Sequence, residues 1–479
     1  MRRAKIVATL GPALDDRQIL RAAVAAGIDV VRLNFSHGDH QTHARRLETV
    51  RDVAASLGRN VGSLADLQGP KIRLGACPPG GVAVPTGSQV LLVPGRERLD
   101  DYSSGGDSAL PVMHPGLFTD VVPGSLVLID DGSIRLVCSR IDEQGVWALV
   151  VAGGIATSHK GVNLPGIDVS GPSMTDKDVE DLGFALSLGA DWIALSFVRT
   201  LHDVLDARAR VLALGTQRPI IAKLERAQSI DNLTEVVAAA DGVMVARGDL
   251  GAEIGPERVP AIQKEIIYEA NAEARPVITA TEMLESMIGS PRATRAEASD
   301  VANAVFDGTD ALMLSGETAV GRYPVEAVRT MAQIIEVAEA SPRLVRPSPA
   351  PRSEVGVSRI VAKAACAVAC DVRAAVIVVY TITGASAQLV SKYRPPMPVL
   401  GLTPSDQTRT QTALMWGTEA ALVPLKGHTA ELLTAAERVA VDGSWAGKGD
   451  RVVIVTGKPG GQGGTNRIMV HRIGDPISS

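Results

Sequence analysis

Lys223 and Glu225 stand two apart at the end of an apolar run, Pro219-Ile220-Ile221-Ala222-Lys223-Leu224-Glu225. Side chains alternate along a strand, so these two point to the same side. A lone charge at the end of a buried aliphatic strand costs a few kcal/mol unless something pairs with it. The partners that suit both signs are a divalent metal and an anionic substrate. Met244-Val245-Ala246-Arg247-Gly248-Asp249-Leu250-Gly251 is a second apolar strand ending in charge. Glu225 and Asp249 are the candidate metal ligands, since carboxylate oxygens suit Mg2+ or Mn2+. A helix-capping carboxylate or a plain Lys223–Glu225 ion pair is the bland alternative. The convergence of two carboxylates and a lysine at strand ends weighs against it. Glu253 and Asp231 read as solvated or capping.

These residues need a scaffold that brings strand ends together. Strand-like runs fall at 5–10, 29–35, 61–67, 192–197, 220–224, 242–246, 276–280 and 311–314, with helical patterns between most of them, such as 204–214 and 293–305. Eight βα units predict an α/β fold of the TIM (β/α)8 barrel type, whose chemistry lies at the C-terminal ends of the strands. The alternation breaks after the third strand. Residues 69–166 are Gly/Pro-rich, with short alternating strands at 89–93, 125–129 and 146–151. They predict a small inserted β-barrel lid that would exclude water from the site. A Pro/Arg-rich stretch at 341–352 marks another boundary, followed by strands at 375–380, 398–402 and 451–456. The expected division is barrel (1–68), lid (69–166), barrel (167–340) and a C-terminal α/β regulatory domain (341–479).

The composition is 46% hydrophobic but 3% aromatic, which suits aliphatic parallel strands. A net charge of -5 gives no general pull toward nucleic acid or an anionic membrane, so an anion site must be local. Cys77, Cys138, Cys366 and Cys370 show no metal-site spacing and read as small core residues in a reducing cytosol. The apolar run after Met1-Arg2-Arg3 is too short for a signal peptide and no run is long enough to span a bilayer, so the expected location is cytoplasmic.

The Lys223/Glu225 segment, together with Arg32-Leu33-Asn34-Phe35-Ser36-His37-Gly38 and Met313-Leu314-Ser315-Gly316-Glu317-Thr318-Ala319, resembles the pyruvate kinase family, and the resemblance covers essentially the whole chain. It implies the same barrel, lid and regulatory domain in a homotetramer, acting on phosphoenolpyruvate and ADP at the last step of glycolysis. Lys223 would stabilise the phosphoryl group in transit, whose charge spreads over its oxygens. Arg32, and with less specificity Arg73, would grip phosphate; both stand at strand ends. The amides of Gly248 and Asp249 and the Thr281 hydroxyl would hold the substrate carboxylate. Thr281 and Ser315 are both candidates for the relay that protonates the enolate. Asn34, His37, Arg73 and Lys160 would lie near the nucleotide phosphates, with Lys160, Asp130 and Asp131 as lid-closure contacts. Glu282 departs from the family, which has Gln there.

Asp66-Leu67-Gln68-Gly69-Pro70-Lys71-Ile72-Arg73-Leu74 resembles the family members that need no K+. K+-requiring members carry Thr-Lys after the Asp and Glu in place of Lys71. A tethered ammonium can supply the charge that a bound K+ brings. Asn34, Ser36, Asp66 and Lys71 therefore form the monovalent-cation region, with K+ not required; an exposed hinge lysine is the plain alternative. In the last domain, Thr381, Thr383, Gly384 and Ser386 open a helix after a strand and suit a phosphorylated small-molecule effector. A Gly-rich loop at 457–465, with Lys458, would fold over it. Two rivals stand beside the kinase: a metal-dependent lyase acting on pyruvate enolate, and a metabolite-sensing protein without activity. The lyase needs no phosphoryl clamp, and the sensor would be expected to have lost Lys223, Glu225 or Asp249, all of which are present.

Overall fold

The computed structural model describes residues 2–130, 132–167, 169, 171–341, 356–424, 429–457 and 464–477. Asp131, Lys458 and most of the 341–352 boundary stretch lie outside these residues. Eight parallel strands close into a barrel: β1 (Lys5–Thr9), β2 (Val30–Asn34), β3 (Gly62–Asp66), β4 (Trp192–Leu195), β5 (Ile220–Leu224), β6 (Gly242–Ala246), β7 (Val277–Ala280) and β8 (Ala311–Leu314). β1 pairs with both β2 and β8, which closes the ring.

The strands are buried on both faces, as their aliphatic sequences require. Ile6, Val31, Leu33, Ile193 and Val245 pack outward against the helices. Val7, Val30, Leu64, Ile221 and Met244 fill the lumen, which Ala413 and Leu414 of the C-terminal domain plug from below. The lumen is therefore a packed core, and only the upper ends of the strands are left to hold polar groups.

The inserted segment leaves after β3 and returns before β4. Its strands form a seven-stranded sheet and a two-stranded ladder around one apolar core that includes Leu92, Leu110, Val127, Leu136 and Val146. The last domain carries a five-stranded sheet in the order Thr418–Leu422, Val399–Thr403, Val376–Tyr380, Arg451–Thr456, Arg467–Arg472, with only the last strand antiparallel. Alternate residues of Val376–Tyr380 face opposite layers. Ile377 and Val379 meet helix Val357–Asp371, while Val376 and Val378 meet helix Thr429–Asp442.

Cys138 and Cys366 are buried as expected, but Cys77 is half-buried and Cys370 is exposed, because it falls on the solvent side of helix Val357–Asp371. No described helix is long and apolar enough to cross a membrane.

Candidate active site

The polar groups gather where the strands end. Lys223 is almost buried, and its ammonium lies 2.8 Å from Glu225 Oε1, 3.2 Å from Asp66 Oδ1 and 2.8 Å from Ser196 Oγ. Asp66, at the end of β3, also accepts from Arg32 Nε at 2.6 Å, and Arg32 Nη1 donates to Thr9 Oγ1 at 3.1 Å. Five neighbouring strands thus converge on one buried cluster of two cations and two carboxylates.

Its electrostatics follow from these contacts. Burial alone would lower the Lys223 pKa, but Asp66 and Glu225 outweigh it and hold the ammonium above its ordinary value. Burial would raise the Asp66 pKa, and Lys223 and Arg32 reverse that, so Asp66 stays ionised. The Glu225 pKa is raised, first by burial and then by the Asp249 carboxylate, against the pull of Lys223.

That repulsion between Glu225 and Asp249 is the condition a divalent cation relieves, and hard oxygen donors suit Mg2+ or Mn2+. Apart from the Lys223 ammonium, Glu225 Oε1 is buried without a partner. The two carboxylates therefore fit a divalent ion completed by substrate and water oxygens. Among the described residues no group of three His, Cys, Asp or Glu is arranged to hold a metal by itself.

Asp249 belongs to the first turn of helix Arg247–Ile254, directly after β6. Its Oδ1 meets Lys71 Nζ at 2.9 Å, so the lysine from the start of the insertion reaches into the barrel mouth. Gly248 N donates to Thr281 Oγ1 at 2.9 Å, which brings the amide and hydroxyl of the expected carboxylate cradle together. Thr281 and Glu282 both have positive φ, 65° and 53°, an uncommon conformation that is a marked outlier for β-branched Thr281. The Glu282 side chain does not turn away from this cradle: its Oε1 lies 4.0 Å from where a Cβ on Gly248 would stand. Ser315 Oγ, at the end of β8, is buried without a partner.

Other expected residues sit differently. Arg73 is not at a barrel strand end. It pairs through its backbone with Gly161 in the inserted segment and donates to His159 O at 3.1 Å, because the chain has already left the barrel after Asp66. Lys160 pairs with Asp130 at 2.8 Å, both within the insert. His37 is exposed at the cleft; desolvation and then Arg73, Arg32 and Lys71 lower its pKa. Asn34 Oδ1 accepts from Ser36 N at 3.1 Å, beside the Asp66 cluster. Glu253 is not solvated: its carboxyl is buried 3.3 Å from Arg226 Nη1.

Two residues escaped sequence reasoning. Ser196 donates to Leu67 O at 2.6 Å while accepting from Lys223, but a lone serine after a strand carries no signal. Arg247 is buried and donates to Thr281 O at 2.6 Å, Glu282 O at 3.0 Å and Asp300 Oδ2 at 2.6 Å. It holds the strained β7 loop in place. Its place at the end of an apolar run, two residues before a metal-ligand candidate, was the one available clue.

In the last domain, Thr381 Oγ1 accepts from Gly384 N at 2.9 Å at the start of helix Ala385–Lys392. Ser386 Oγ meets Thr465 Oγ1, which brings the end of the Gly-rich loop to this turn, while Thr383 is exposed.

Comparison with known proteins agrees with this geometry. The family description "Pyruvate kinase, barrel domain" matches residues 1–328, and "Pyruvate kinase, alpha/beta domain" matches residues 359–471. The chain is 44% identical over 476 residues to a pyruvate kinase of Mycobacterium tuberculosis, covering 99% of each chain. It is 43% identical to that of Agrobacterium vitis, again covering 99% of each. Among solved structures, a pyruvate kinase from Cryptosporidium parvum superimposes with a TM-score of 0.90 at 34% identity, covering 98% of this chain and 96% of that one.

Proposed function

The chain belongs to the pyruvate kinase family, and from that premise we propose how its own residues transfer the phosphoryl group of phosphoenolpyruvate to ADP, giving pyruvate and ATP. The observation that carries the reading is Lys223, held by Asp66, Ser196 and Glu225 in one buried cluster. A fixed, permanently charged ammonium needs no reorganisation as negative charge shifts across the phosphoryl oxygens. Arg32 grips the substrate phosphate beside it. The Gly248 amide and Thr281 hydroxyl, already bonded to each other, exchange that bond for the substrate carboxylate.

Glu225 and Asp249 would hold Mg2+ or Mn2+, which would supply positive charge against the phosphates. His37, Asn34, Arg73 and Lys160 face the nucleotide phosphates. Thr281 and Ser315 are the two hydroxyls offered for protonating the enolate; trapping of enolpyruvate by Thr281→Ala or by Ser315→Ala separates them.

Lys71 makes the reaction independent of K+. Its ammonium is three-quarters buried and paired with Asp249, which supports a role inside the site over a hinge exposed to solvent. The Thr381–Ser386 turn takes a phosphorylated effector, and the chain assembles as a homotetramer, a state that light scattering measures directly.

The test is ATP formation from phosphoenolpyruvate and ADP with Mg2+, in K+-free buffer and again with KCl at matched ionic strength. Equal, fast rates support both the kinase and Lys71. Strong activation by K+ keeps the kinase and removes the Lys71 argument. No ATP in either buffer, with effectors also tried, returns the lyase or sensor readings.

A further inference from the structure

A cavity of about 520 Å³ lies on the side of the molecule opposite the catalytic cluster, between the lower rim of the barrel and the C-terminal domain. Its volume falls within the range of small-molecule sites. Its charged walls are Arg51, Arg59, Arg218 and Arg409, against the carboxylates of Asp191 and Asp406. Four guanidiniums facing two carboxylates leave an excess of two positive charges, in a chain whose net charge is -5.

Two of the guanidiniums, those of Arg51 and Arg218, are oriented without an ion-pair partner among the described residues. Arg51 Nη2 is held by Leu188 O at 2.8 Å and Gly189 O at 3.1 Å. Arg218 is held by Ala190 O at 2.9 Å through Nε, and through Nη1 by Thr216 Oγ1 and Gln217 O at 3.0 Å each. Among the described residues neither has a carboxylate partner, and Arg51 Nη1 and Arg218 Nη2 are left without a partner. Arg59 Nη2 makes two long contacts, 3.3 Å to Ile28 O and 3.4 Å to Asp29 Oδ1, and Arg409 pairs with Asp406 on its own helix.

Asp191 is mostly committed elsewhere, and the pull of the Arg51 charge on its carboxyl is the weakest of the influences on it. Its Oδ2 accepts from Ser63 N and Ser63 Oγ at 2.7 Å each, and Oδ1 accepts from Thr410 Oγ1. Burial pushes its pKa up, which further weakens it as a counter-ion. The two domains hold together across this cleft by other bonds, Asn60 Nδ2 to Arg409 O at 2.7 Å and Gln407 Nε2 to Gln217 O at 3.3 Å. The arginines are therefore not needed as interdomain ion pairs.

We propose that this interdomain cavity is a binding site for a phosphate monoester of a small organic molecule, separate from both the catalytic cluster and the Thr381–Ser386 turn. Planar guanidiniums anchored by carbonyls and presenting free N–H groups match a tetrahedral dianion better than a single carboxylate. Leu47, Val50, Ala54 and Val61 line the remaining wall and would receive the organic body.

The site touches elements that lead both ways. Helix Asp406–Gln411 lines it with Asp406, Arg409 and Thr410, and the same helix bonds the effector turn through Thr408 Oγ1 to Ile382 O at 2.8 Å. Ser63 and Asp191 begin the strands that end near Asp66 and Ser196, both bonded to Lys223.

The test is calorimetric titration of the full chain with pyrophosphate as a probe, comparing wild type with Arg218→Gln and Arg51→Gln. Losing a charged hydrogen-bond donor weakens one binding event by about tenfold or more. The catalytic cluster and the effector turn are common to all three proteins, so the difference isolates the cavity. Arg218→Lys, which keeps the charge, recovers part of the loss. Arg51 is exposed, so Arg51→Gln remains a folded control if Arg218→Gln is unstable. In parallel, a tungstate soak of crystals places a strong anomalous peak between Arg51 and Arg218. Identical isotherms for wild type and both Gln variants, or tungstate only at the catalytic cluster or the Thr381 turn, would overturn the proposal.

Discussion

Lys71 and Asp249 meet at 2.9 Å although 178 positions separate them, one at the start of the inserted domain and the other on the first turn after β6. The contact ties the insert to a candidate metal ligand and places an ammonium where the substrates' charge will collect. Replacing it by a neutral chain of similar length removes both the tie and the charge. Lys71→Met is expected to lower turnover in K+-free buffer by about tenfold to a hundredfold, on the scale of one lost charged contact. Added KCl should recover part of that loss and leave the wild type unchanged. Steady-state rates with and without KCl check this, and a variant equally indifferent to KCl would sink the surrogate role.

Lys223 is the residue whose loss should be felt most. Lys223→Met removes the buried ammonium but leaves Glu225 and Asp249 to bind metal. Phosphoryl transfer should fall by about a thousandfold or more, since electrostatic stabilisation lost at a single donor costs that order. Mn2+ binding followed by electron paramagnetic resonance should persist. Asp66 and Glu225 would then face each other without their shared cation, so some loss of thermal stability is expected as well.

Glu282 brings a negative charge to the cradle that should hold the substrate carboxylate. Glu282→Gln keeps the shape and removes the charge. The KM for phosphoenolpyruvate should drop by about twofold to fivefold, since the group is exposed and its field is screened by water. The kcat should hardly change. An effect that vanishes at high salt fits a screened charge; a rise in KM would mean that the carboxylate helps to order the loop.

The barrel was legible because strands buried on both faces must be continuous aliphatic runs. All eight lie within two residues of their expected ends, and Ile220–Leu224, Gly242–Ala246 and Ala311–Leu314 match outright. Strand Arg467–Arg472, Arg-Ile-Met-Val-His-Arg, was missed because it forms an exposed edge whose polar ends hide its pairing. Lys223 and Glu225 stood out as charges in an apolar run. Asp66 was read as a monovalent-cation neighbour, yet it bonds both Lys223 and Arg32, a partnership across strands that no linear spacing encodes. Ser196 and Arg247 were hidden for the same reason: their roles lie in which loops they join.

A buried charge cluster beneath the barrel gives the last prediction. Asp310 accepts Arg394 Nη1 at 2.9 Å and Lys392 Nζ at 2.5 Å, and Lys392 Nζ also reaches Asn271 Oδ1 at 2.8 Å. Two cations thus share one carboxylate. Burial pulls the Lys392 pKa from its ordinary 10.5 to about 8, with Asp310 opposing and Arg394 and Arg359 adding to the fall. The sign follows from proton counts. Between those two values the unfolded chain holds a proton that the folded chain has released, so this site's contribution to stability rises with pH across that window. Below about pH 8 the folded protein carries the full cost of the buried ammonium. Lys392→Met removes that cost and leaves Asp310 paired with Arg394, so the variant should melt at or above the wild-type temperature at pH 7. Its advantage should shrink steadily toward pH 10, as the wild-type lysine is freed of its charge. Asp310→Asn acts in the opposite direction: two buried cations lose their only shared carboxylate, at a cost of about 3–5 kcal/mol. Thermal melts of the three proteins at pH 7, 8.5 and 10 read both effects. A gap between wild type and Lys392→Met that does not change over this range would show that the lysine keeps its proton in the fold, held by Asp310 more strongly than burial opposes it.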